Sequence, residues 1–226
     1  VRPCQATGDV PVILGGGAAG VMPQEFMEFF DVDFVVQGDG EAAFPAWLDA
    51  IESGGTLREV PGLVWRDGDG TAHPNDPARV CDLDTLPMPR PHRWLNLQQY
   101  FRYNSSLGIQ SKRGCALGCT YCVYIRIEGP RYRRQSVDRI EREIREAINA
   151  GAKSIEFVDS TFNIPLDHAL DVCRMLARRT FPAQFNTMGI NPGAVTEELF
   201  GLLREGGFRE VSITPETASP RMLEAL

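Results

Sequence analysis

The sequence predicts an α/β protein in which short parallel strands alternate with helices. Two observations support this: apolar strand-like runs are followed by helical stretches between residues 10 and 53, and the same alternation returns after residue 106. Short apolar runs of this kind are typical of strands that are buried on both faces of a parallel sheet. The 226 residues are enough for one large or two small domains.

The first region contains two predicted strand-helix units. In chain order these are a strand at 10–14, a helix from about residue 23, a strand at 32–36 and a helix at 41–51. Gly15, Gly16 and Gly17 follow the first strand and would let a ligand approach the backbone closely. Their spacing matches neither dinucleotide-binding nor P-loop signatures, so a plain tight turn is the alternative interpretation.

The middle region connects the two α/β parts. Residues 60–65 and a return near Thr71 predict a hairpin around the glycine-containing turn 67–70. A proline-rich stretch then runs to Pro91 and cannot continue a helix or a central strand, so we place the domain boundary there. His73 and His92 lie in this region and are interpreted as surface residues.

After this region the pattern becomes regular, with four β-α units. Ser136 is the predicted N-cap of a helix whose apolar stripe includes Ile140 and Ile144. The other predicted elements are strands at 107–111, 152–158, 183–188 and 210–214, and helices at 167–178, 197–205 and 219–226. Such a series forms an open sheet or a barrel, and ligands then bind at the carboxyl ends of the strands.

Composition limits the possible function classes. A formal net charge of -7 argues against non-specific binding of nucleic acid through the overall field. No apolar run approaches the roughly 20 residues that span a bilayer, and no secretory signal is present, so we expect a cytoplasmic protein without a membrane span. The chain begins without methionine and ends in a predicted helix with no stop signal, so we expect a piece of a longer protein.

Three of the six cysteines lie in one short loop that directly follows the strand at 107–111. Cys115, Cys119 and Cys122 form a Cys-x3-Cys-x2-Cys pattern, and Gly114 and Gly118 allow the loop to bend. Iron-sulfur clusters are normally held by four thiolates. A compact loop that supplies three thiolates therefore favours a four-iron cluster with one iron open to a small molecule.

Two other metal sites have to be weighed against this hypothesis. A zinc site would use the three cysteines and one more ligand, but zinc loops usually pair two knuckles and the sequence has no second Cys or His pair. A ferredoxin-like electron carrier would need a fourth thiolate. Cys4, Cys81 and Cys173 lie in other segments and are interpreted as core or surface thiols.

Taken together, these residues resemble the radical S-adenosylmethionine (SAM) enzymes, and within them the class with an N-terminal cobalamin-binding-type domain. The three cysteines with Tyr121 match the family's cluster motif. Three segments are similar to the cobalamin-type domain and its linker: 12–17, 35–41 and 83–89. Two more occupy the positions of the second and fourth strand motifs of the family's barrel: 157–162 and 211–217.

The resemblance implies three segments. Residues 1–56 would be the C-terminal half of a Rossmann-like cobalamin-binding-type domain, and residues 57–105 a hairpin with a proline-rich linker. Residues 106–226 would be the first four units of a partial (β/α) radical SAM barrel.

The resemblance also implies a reaction. A 4Fe-4S cluster on the three cysteines would reductively cleave SAM to a 5'-deoxyadenosyl radical, with methyl transfer as the first expectation. Radical-dependent cyclisation or rearrangement, and a non-catalytic module stabilised by zinc or an iron-sulfur cluster, are the alternatives. Cobalamin is a possible further cofactor. The expected partners are a small-molecule substrate and an external one-electron reductant of the flavodoxin or ferredoxin type, and no nucleic acid is expected.

Several residues are candidate cofactor contacts by the same resemblance, and none is assigned as catalytic. Asp159 and Ser160 end the second strand, where the family contacts the methionyl amine of SAM. The other candidates are Tyr121, Glu216, Gly15 and Gly16. Capping of a turn is the alternative for the strand-end residues. Asn186 and Asn191 flank the third strand of this series and could point into the barrel, with a role in turns as the alternative. A basic rim of Lys112, Arg113, Arg126 and 131–134 could steer an anion, with a solvated charged loop before a helix as the alternative.

Overall fold

The computed structural model describes residues 10–103, 106–213, 215 and 217–224. The chain forms two compact units, of which the first comprises Val1–Cys81 with Gly114–Arg131 and the second Asp82–Arg113 with Tyr132–Leu226. The hairpin thus groups with the first unit, and the cysteine loop groups with it as well. These bounds differ from the three predicted segments 1–56, 57–105 and 106–226, which stay predictions of domain organisation.

The first unit contains a four-stranded sheet in the order β1-β2-β3-β4. Its strands are β1 (Ile13–Leu14), β2 (Phe34–Val36), β3 (Leu63–Arg66) and β4 (Ala72–Pro74). β1 and β2 pair in parallel, as predicted, whereas β3 and β4 form the predicted hairpin and continue the sheet antiparallel to β2. The hairpin is part of the sheet because Leu63 and Val64 are fully buried strand residues.

Three helices accompany this sheet: α1 (Gly17–Val21), α2 (Pro23–Phe30) and α3 (Gly40–Ser53). α2 begins at a proline in its first turn, where the missing N–H would have no partner within the helix. α3 ends at Gly54, whose positive φ of 68° supplies the left-handed C-cap. Ala43 and Trp47, one turn apart, form the buried side of α3.

The second unit contains the regular β-α series. All strands of its sheet are parallel and stand in the order β10-β9-β8-β5, so each strand pairs with the next strand of the series. The strands are β5 (Leu107–Ile109), β8 (Ser154–Phe157), β9 (Gln184–Ile190) and β10 (Phe208–Ile213). The predicted α/β class with a parallel sheet is therefore confirmed.

Helices follow the strands as predicted: α6 (Val137–Asn149), α7 (Leu166–Arg179), α8 (Glu197–Glu205) and α9 (Pro220–Leu223). The Ser136 side chain accepts a hydrogen bond from Arg139 N at 3.2 Å, which confirms the predicted N-cap of α6. An aromatic group of Phe157, Phe162, Phe185 and Phe208 lies in the core of this unit. Burial of these rings contributes strongly to the stability of the unit.

Five short α-helices and strands of the described residues are absent from the predictions. They are α1, α4 (Leu97–Arg102), α5 (Tyr124–Glu128), and the two strands of an antiparallel ladder, β6 (Lys112–Arg113) and β7 (Arg133–Arg134). Each is too short to show an apolar period in the sequence. No helix in the described part of the chain is long and apolar enough to cross a membrane.

Candidate cofactor site

The cysteine loop begins directly after β6, and its first thiol is the most enclosed. Cys115 is buried, whereas Cys119 and Cys122 are half-buried, and all three are free thiols. Cys122 N donates to Cys119 O at 3.1 Å, which folds the Cys-x2-Cys part into a tight turn. The chain then continues into α5, a helix of five residues.

The base of the loop is closed by hydrogen bonds between its two ends. Cys115 N donates to Gly129 O at 3.1 Å, and Gly114 N donates to Glu128 Oε2 at 2.8 Å. The other carboxylate oxygen of Glu128 accepts from Tyr124 Oη at 3.4 Å. The loop is therefore held at its base by backbone groups and one carboxylate, and its tip carries exposed side chains such as Tyr121.

Glycine is required at the entry to the loop for two reasons. Gly114 has φ +90°, and a methyl group built on it would overlap the carbonyl oxygen of Arg131. Gly118 also has a positive φ, +65°, but nothing lies within 4 Å of a methyl group there. The two glycines predicted to let the loop bend thus differ: Gly114 is needed for conformation and space, and Gly118 for conformation alone.

The three thiols of this loop suit an iron-sulfur cluster better than they suit a single metal ion. Among the described residues, no three His, Cys, Asp or Glu side chains converge as ligands of a single metal ion would. A four-iron cluster does not need such convergence, because each thiolate binds a different iron. Three thiols in one glycine-containing loop fit that requirement.

The two other cysteines that the structure describes do not complete the donor set. Cys81 is exposed and Cys173 is fully buried on α7, in the core of the second unit. Burial raises the pKa of the Cys173 thiol to about 12, so it stays protonated and does not act as a thiolate ligand. Cys4 lies outside the described residues.

The glycine run after β1 is open to solvent on the first unit. Gly16 has φ +102°, and nothing lies within 4 Å of a methyl group built on it. A methyl group on Gly17 would lie 3.4 Å from Ile127 Cδ1, so α1 packs closely against α5. The predicted cofactor contacts Gly15 and Gly16 therefore belong to the same compact unit as the cysteine loop.

Arg79 joins the β2 end of this unit to α5, and sequence reasoning missed it. Its Nη2 donates to Arg126 O at 3.1 Å, and its side chain passes Gly38 and Gly129, where a methyl group would overlap or crowd the guanidinium. Asp39 holds the same segment, because its carboxylate accepts from Val80 N at 2.7 Å. The glycine-acid-glycine sequence at 38–40 was the signal available, but its partner lies 41 residues away.

Asp159 lies two residues after β8 and is buried, and its role as a cofactor contact stays a prediction. Its carboxylate accepts from Ser111 N at 2.7 Å, Ser111 Oγ at 2.6 Å and Lys112 N at 3.2 Å, and it pairs with Lys112 Nζ at 3.0 Å. Lys112 Nζ also donates to Phe162 O at 3.1 Å. Asp159 thus fixes the two residues that precede Arg113 and the cysteine loop.

This pair corrects the predicted basic rim. Lys112 is 1% exposed and neutralised by Asp159, so it does not face solvent with the arginines. Arg134 does lie at the surface, where it pairs with Asp167 at 2.8 Å. The His168 ring contacts the same segment, since its Nε2 lies 3.1 Å from Ser111 O.

The other candidates at the strand ends divide into described and undescribed residues. Ser160 is half-buried beside Thr161, whose hydroxyl donates to Ser160 O at 2.8 Å. Asn191 accepts from Gly193 N through its side chain and caps a short 3-10 helix, so the turn interpretation describes it. Glu216 lies outside the described residues, and its role stays a prediction.

Asn186 is placed differently from its interpretation as a strand-end group that could face a ligand. Its side chain donates to Ser154 Oγ at 3.1 Å and Ser106 Oγ at 3.3 Å, and both serines lie at or just before the amino end of their strands. Asn186 therefore lies toward the amino edge of the sheet, opposite the edge from which the β8 end and Asp159 project.

Arg139 of α6 holds the proline-rich segment in the second unit. Its guanidinium donates to Leu86 O at 2.6 Å, Asp84 O at 3.1 Å and Pro87 O at 3.1 Å. Burial raises the pKa of Glu143, one turn further along α6, although its ion pair with Arg139 opposes the shift. The sequence predicted no role for Arg139 beyond its place in a helix, and its hydrogen bonds to the proline-rich segment became visible only in the fold.

Comparison with known proteins identifies the family. The sequence model of the Radical SAM superfamily matches residues 109–226, which is just over half of the chain. An uncharacterized methyltransferase of Pyrococcus horikoshii is 29% identical over 221 residues, covering 96% of this chain and 47% of that protein. Cytidylyl-2-hydroxyethylphosphonate methyltransferase of Streptomyces wedmorensis is 26% identical over 252 residues, covering 97% of this chain and 47% of that protein.

A solved structure agrees over nearly the whole chain. The radical S-adenosylmethionine methyltransferase TsrM from Kitasatospora setae, with cobalamin and a [4Fe-4S] cluster bound, superposes with a TM-score of 0.84 and 26% identity. The match covers 95% of this chain and 44% of that one. This chain spans about half the length of the relatives it matches. It belongs to the Radical SAM superfamily.

Proposed function

We propose that this chain is the cofactor-binding part of a cobalamin-dependent radical SAM methyltransferase. The observation that carries the proposal is the Cys-x3-Cys-x2-Cys loop, closed at its base and located where the family model begins. The similarity of nearly the whole chain to methyltransferases supports the transferase class. The partial barrel of the second unit, like the cobalamin-type domain of the first, is part of the proposal.

The proposed roles follow from the site's own residues. Cys115, Cys119 and Cys122 would hold a 4Fe-4S cluster, which when bound supplies the electron that cleaves SAM. Tyr121 and Ser160 are the proposed contacts to SAM among the described residues. The buried ion pair of Lys112 and Asp159 holds the strand segment that precedes the loop in the sequence. Removing either partner would leave an unpaired buried charge.

The first unit supplies the second proposed site. Cobalamin, when bound, would act as the methyl carrier, and the open backbone at Gly15 and Gly16 leaves room for a large ligand to approach. The cobalamin-bound relative supports this choice of ligand. The electron would come from an external one-electron donor of the flavodoxin or ferredoxin type, the substrate would be a small molecule, and a cytoplasmic location fits free thiols in a reducing compartment.

The test uses the full-length protein, reconstituted anaerobically with iron and sulfide and then reduced. We expect bound iron and sulfide in equal amounts and release of 5'-deoxyadenosine from SAM. Cys119→Ala should lose the cluster and this release, because each of the three thiolates would bind a different iron of the cluster. The matched control is Cys81→Ala, an exposed cysteine outside the loop, which should retain both.

Two further readouts distinguish the alternatives. Transfer of the labelled methyl group of SAM to bound cobalamin supports the methyltransferase, whereas radical formation without such transfer favours cyclisation or rearrangement. Bound zinc without sulfide, and no cleavage of SAM, would contradict the proposal in favour of a metal-stabilised binding module. Release of 5'-deoxyadenosine by Cys119→Ala at the wild-type rate would contradict the assigned ligands.

A further inference from the structure

The residues that close the base of the cysteine loop include one that local rules disfavour. Glu128 is the last residue of α5, so its carboxylate lies at the negative end of a helix, where a cation is the favourable choice. Residues that break a local rule in a well-formed structure usually do so for a contact elsewhere. That contact here is the hydrogen bond from Gly114 N to Glu128 Oε2 at 2.8 Å.

This hydrogen bond joins the two ends of the loop. Gly114 immediately precedes Cys115, and Glu128 lies six residues after Cys122. Hydrogen bonds to an ionised carboxylate are shorter and roughly twice as strong as those between neutral groups. Glu128 is half-buried, so its carboxylate is less screened than a surface group.

Neighbouring contacts fix the position of the Glu128 side chain. Its other oxygen accepts from Tyr124 Oη at 3.4 Å, one turn earlier on α5. Gly129 N donates to Ile125 O at 2.9 Å, and Gly129 O accepts from Cys115 N at 3.1 Å. Arg79 holds α5 from outside through Arg126 O. The carboxylate is therefore presented to Gly114 N by a helix that is itself fixed.

We propose that Glu128 is a positioning residue that holds the base of the loop closed, so that Cys115 keeps its position in the loop before and after a cluster binds. The inference rests on the proposed function only in treating the loop as a cluster loop. Its consequence is local: loss of the carboxylate removes its hydrogen bond to Gly114 N and loosens the first ligand. The cluster would then be released more readily, although all three cysteines are intact.

The first experiment measures amide hydrogen exchange of the metal-free protein. Glu128→Ala should speed exchange of the peptide containing Gly114 and Cys115 about tenfold, because one charge-assisted hydrogen bond is lost. Glu128→Gln should restore most of the protection, since its side-chain oxygen can still accept from Gly114 N. The control is Glu205→Ala, which removes the same residue type from the last position of α8, where it is exposed.

The second experiment measures how fast a chelator removes iron from the reconstituted full-length protein. We expect removal to be about tenfold faster in Glu128→Ala, and close to the wild-type rate in Glu128→Gln and Glu205→Ala. Unchanged exchange and unchanged iron release in Glu128→Ala would overturn the inference. If Glu128→Ala does not fold, Glu128→Leu replaces it, since Leu keeps much of the side-chain bulk but offers no acceptor to Gly114 N. Wild-type exchange and wild-type iron release in that variant would overturn the inference as well.

The two proposals fail separately. A full-length protein that binds no cluster contradicts the proposed function, while the exchange experiment on the metal-free chain still decides the role of Glu128. Conversely, a wild type that cleaves SAM, with an Ala variant that behaves identically in both experiments, leaves the proposed function standing and removes the positioning role.

Discussion

The parallel sheet of the second unit and the cysteine loop of the first are stabilised by different interactions. The sheet encloses an apolar cluster that includes Ile155, Phe157 and Phe185, each at most 1% exposed. The loop of residues 114–131 instead depends on backbone hydrogen bonds, one carboxylate and a glycine with a positive φ, and it exposes Tyr121 at 69%. Burial therefore forms the scaffold, and polar contacts shape a loop in which Cys115 is buried and the other two thiols are half-buried.

The difference extends to polar groups. In the sheet unit, Asp159 and Lys112 are desolvated together and satisfy each other, with Ser111 completing the carboxylate's contacts. In the loop, Glu128 makes its contacts while half-buried. Removing one partner should hence be far more damaging in the first case than in the second.

The largest expected effect is at the buried ion pair. Asp159→Asn should lower the free energy of unfolding by about 3–5 kcal/mol, because it leaves the Lys112 ammonium buried without a counter-charge. The matched control is Asp167→Asn, which breaks the exposed pair with Arg134 and should change stability by less than about 1 kcal/mol. Urea unfolding of the wild type, the two single variants and the Lys112→Met/Asp159→Asn double variant measures both changes in the free energy of unfolding. Equal losses in the two single variants would contradict the contrast.

An intermediate effect is expected at the loop entry. Gly114→Ala should destabilise the metal-free protein by about 1–3 kcal/mol, because the backbone is left-handed and the added methyl group meets the Arg131 carbonyl. Gly118→Ala has the backbone penalty alone and should cost about 1 kcal/mol. Thermal unfolding of the two variants decides whether crowding at the entry matters. A larger loss of stability in Gly118→Ala would show that backbone conformation at the tip of the loop, and not crowding at its base, determines the stability of the loop.

The smallest expected effect is a pH dependence in the sheet unit. Burial lowers the pKa of His168 below its ordinary value of 6.5, although the hydrogen bond to Ser111 O opposes the shift. Between these two pKa values the unfolded chain binds a proton that the folded chain does not. The stabilising contribution of His168 is thus present above the unfolded pKa and is lost as the pH falls through the folded pKa.

The measurement is the free energy of unfolding between about pH 7.5 and pH 5.5. His168→Gln should reduce its decrease on acidification, since Gln cannot take up the proton. The control is His92→Gln, an exposed histidine, which should leave the slope as it is in the wild type. An unchanged slope in His168→Gln would assign the acid sensitivity to other groups.

Local features of the molecule could be predicted from the amino-acid sequence alone. The cluster loop was readable because its ligands lie within eight positions, and Ser136 was readable as a cap because its partner, Arg139 N, is three residues away. The order of strands and helices followed from short apolar runs for the strands and from apolar stripes at helical spacing for the helices. These signals also sufficed for the family resemblance that the comparisons confirm.

Contacts that join distant segments could be identified only once the fold was known. Asp159 was predicted as a cofactor contact, yet its partners Ser111 and Lys112 stand 48 and 47 residues away and no periodicity relates them. Glu128, Arg79 and Arg139 were unremarkable charged residues until their hydrogen-bond partners were known. A sequence pattern reports which faces are apolar, whereas the pairing of buried polar groups is settled by the need to satisfy each one wherever the chain brings a partner.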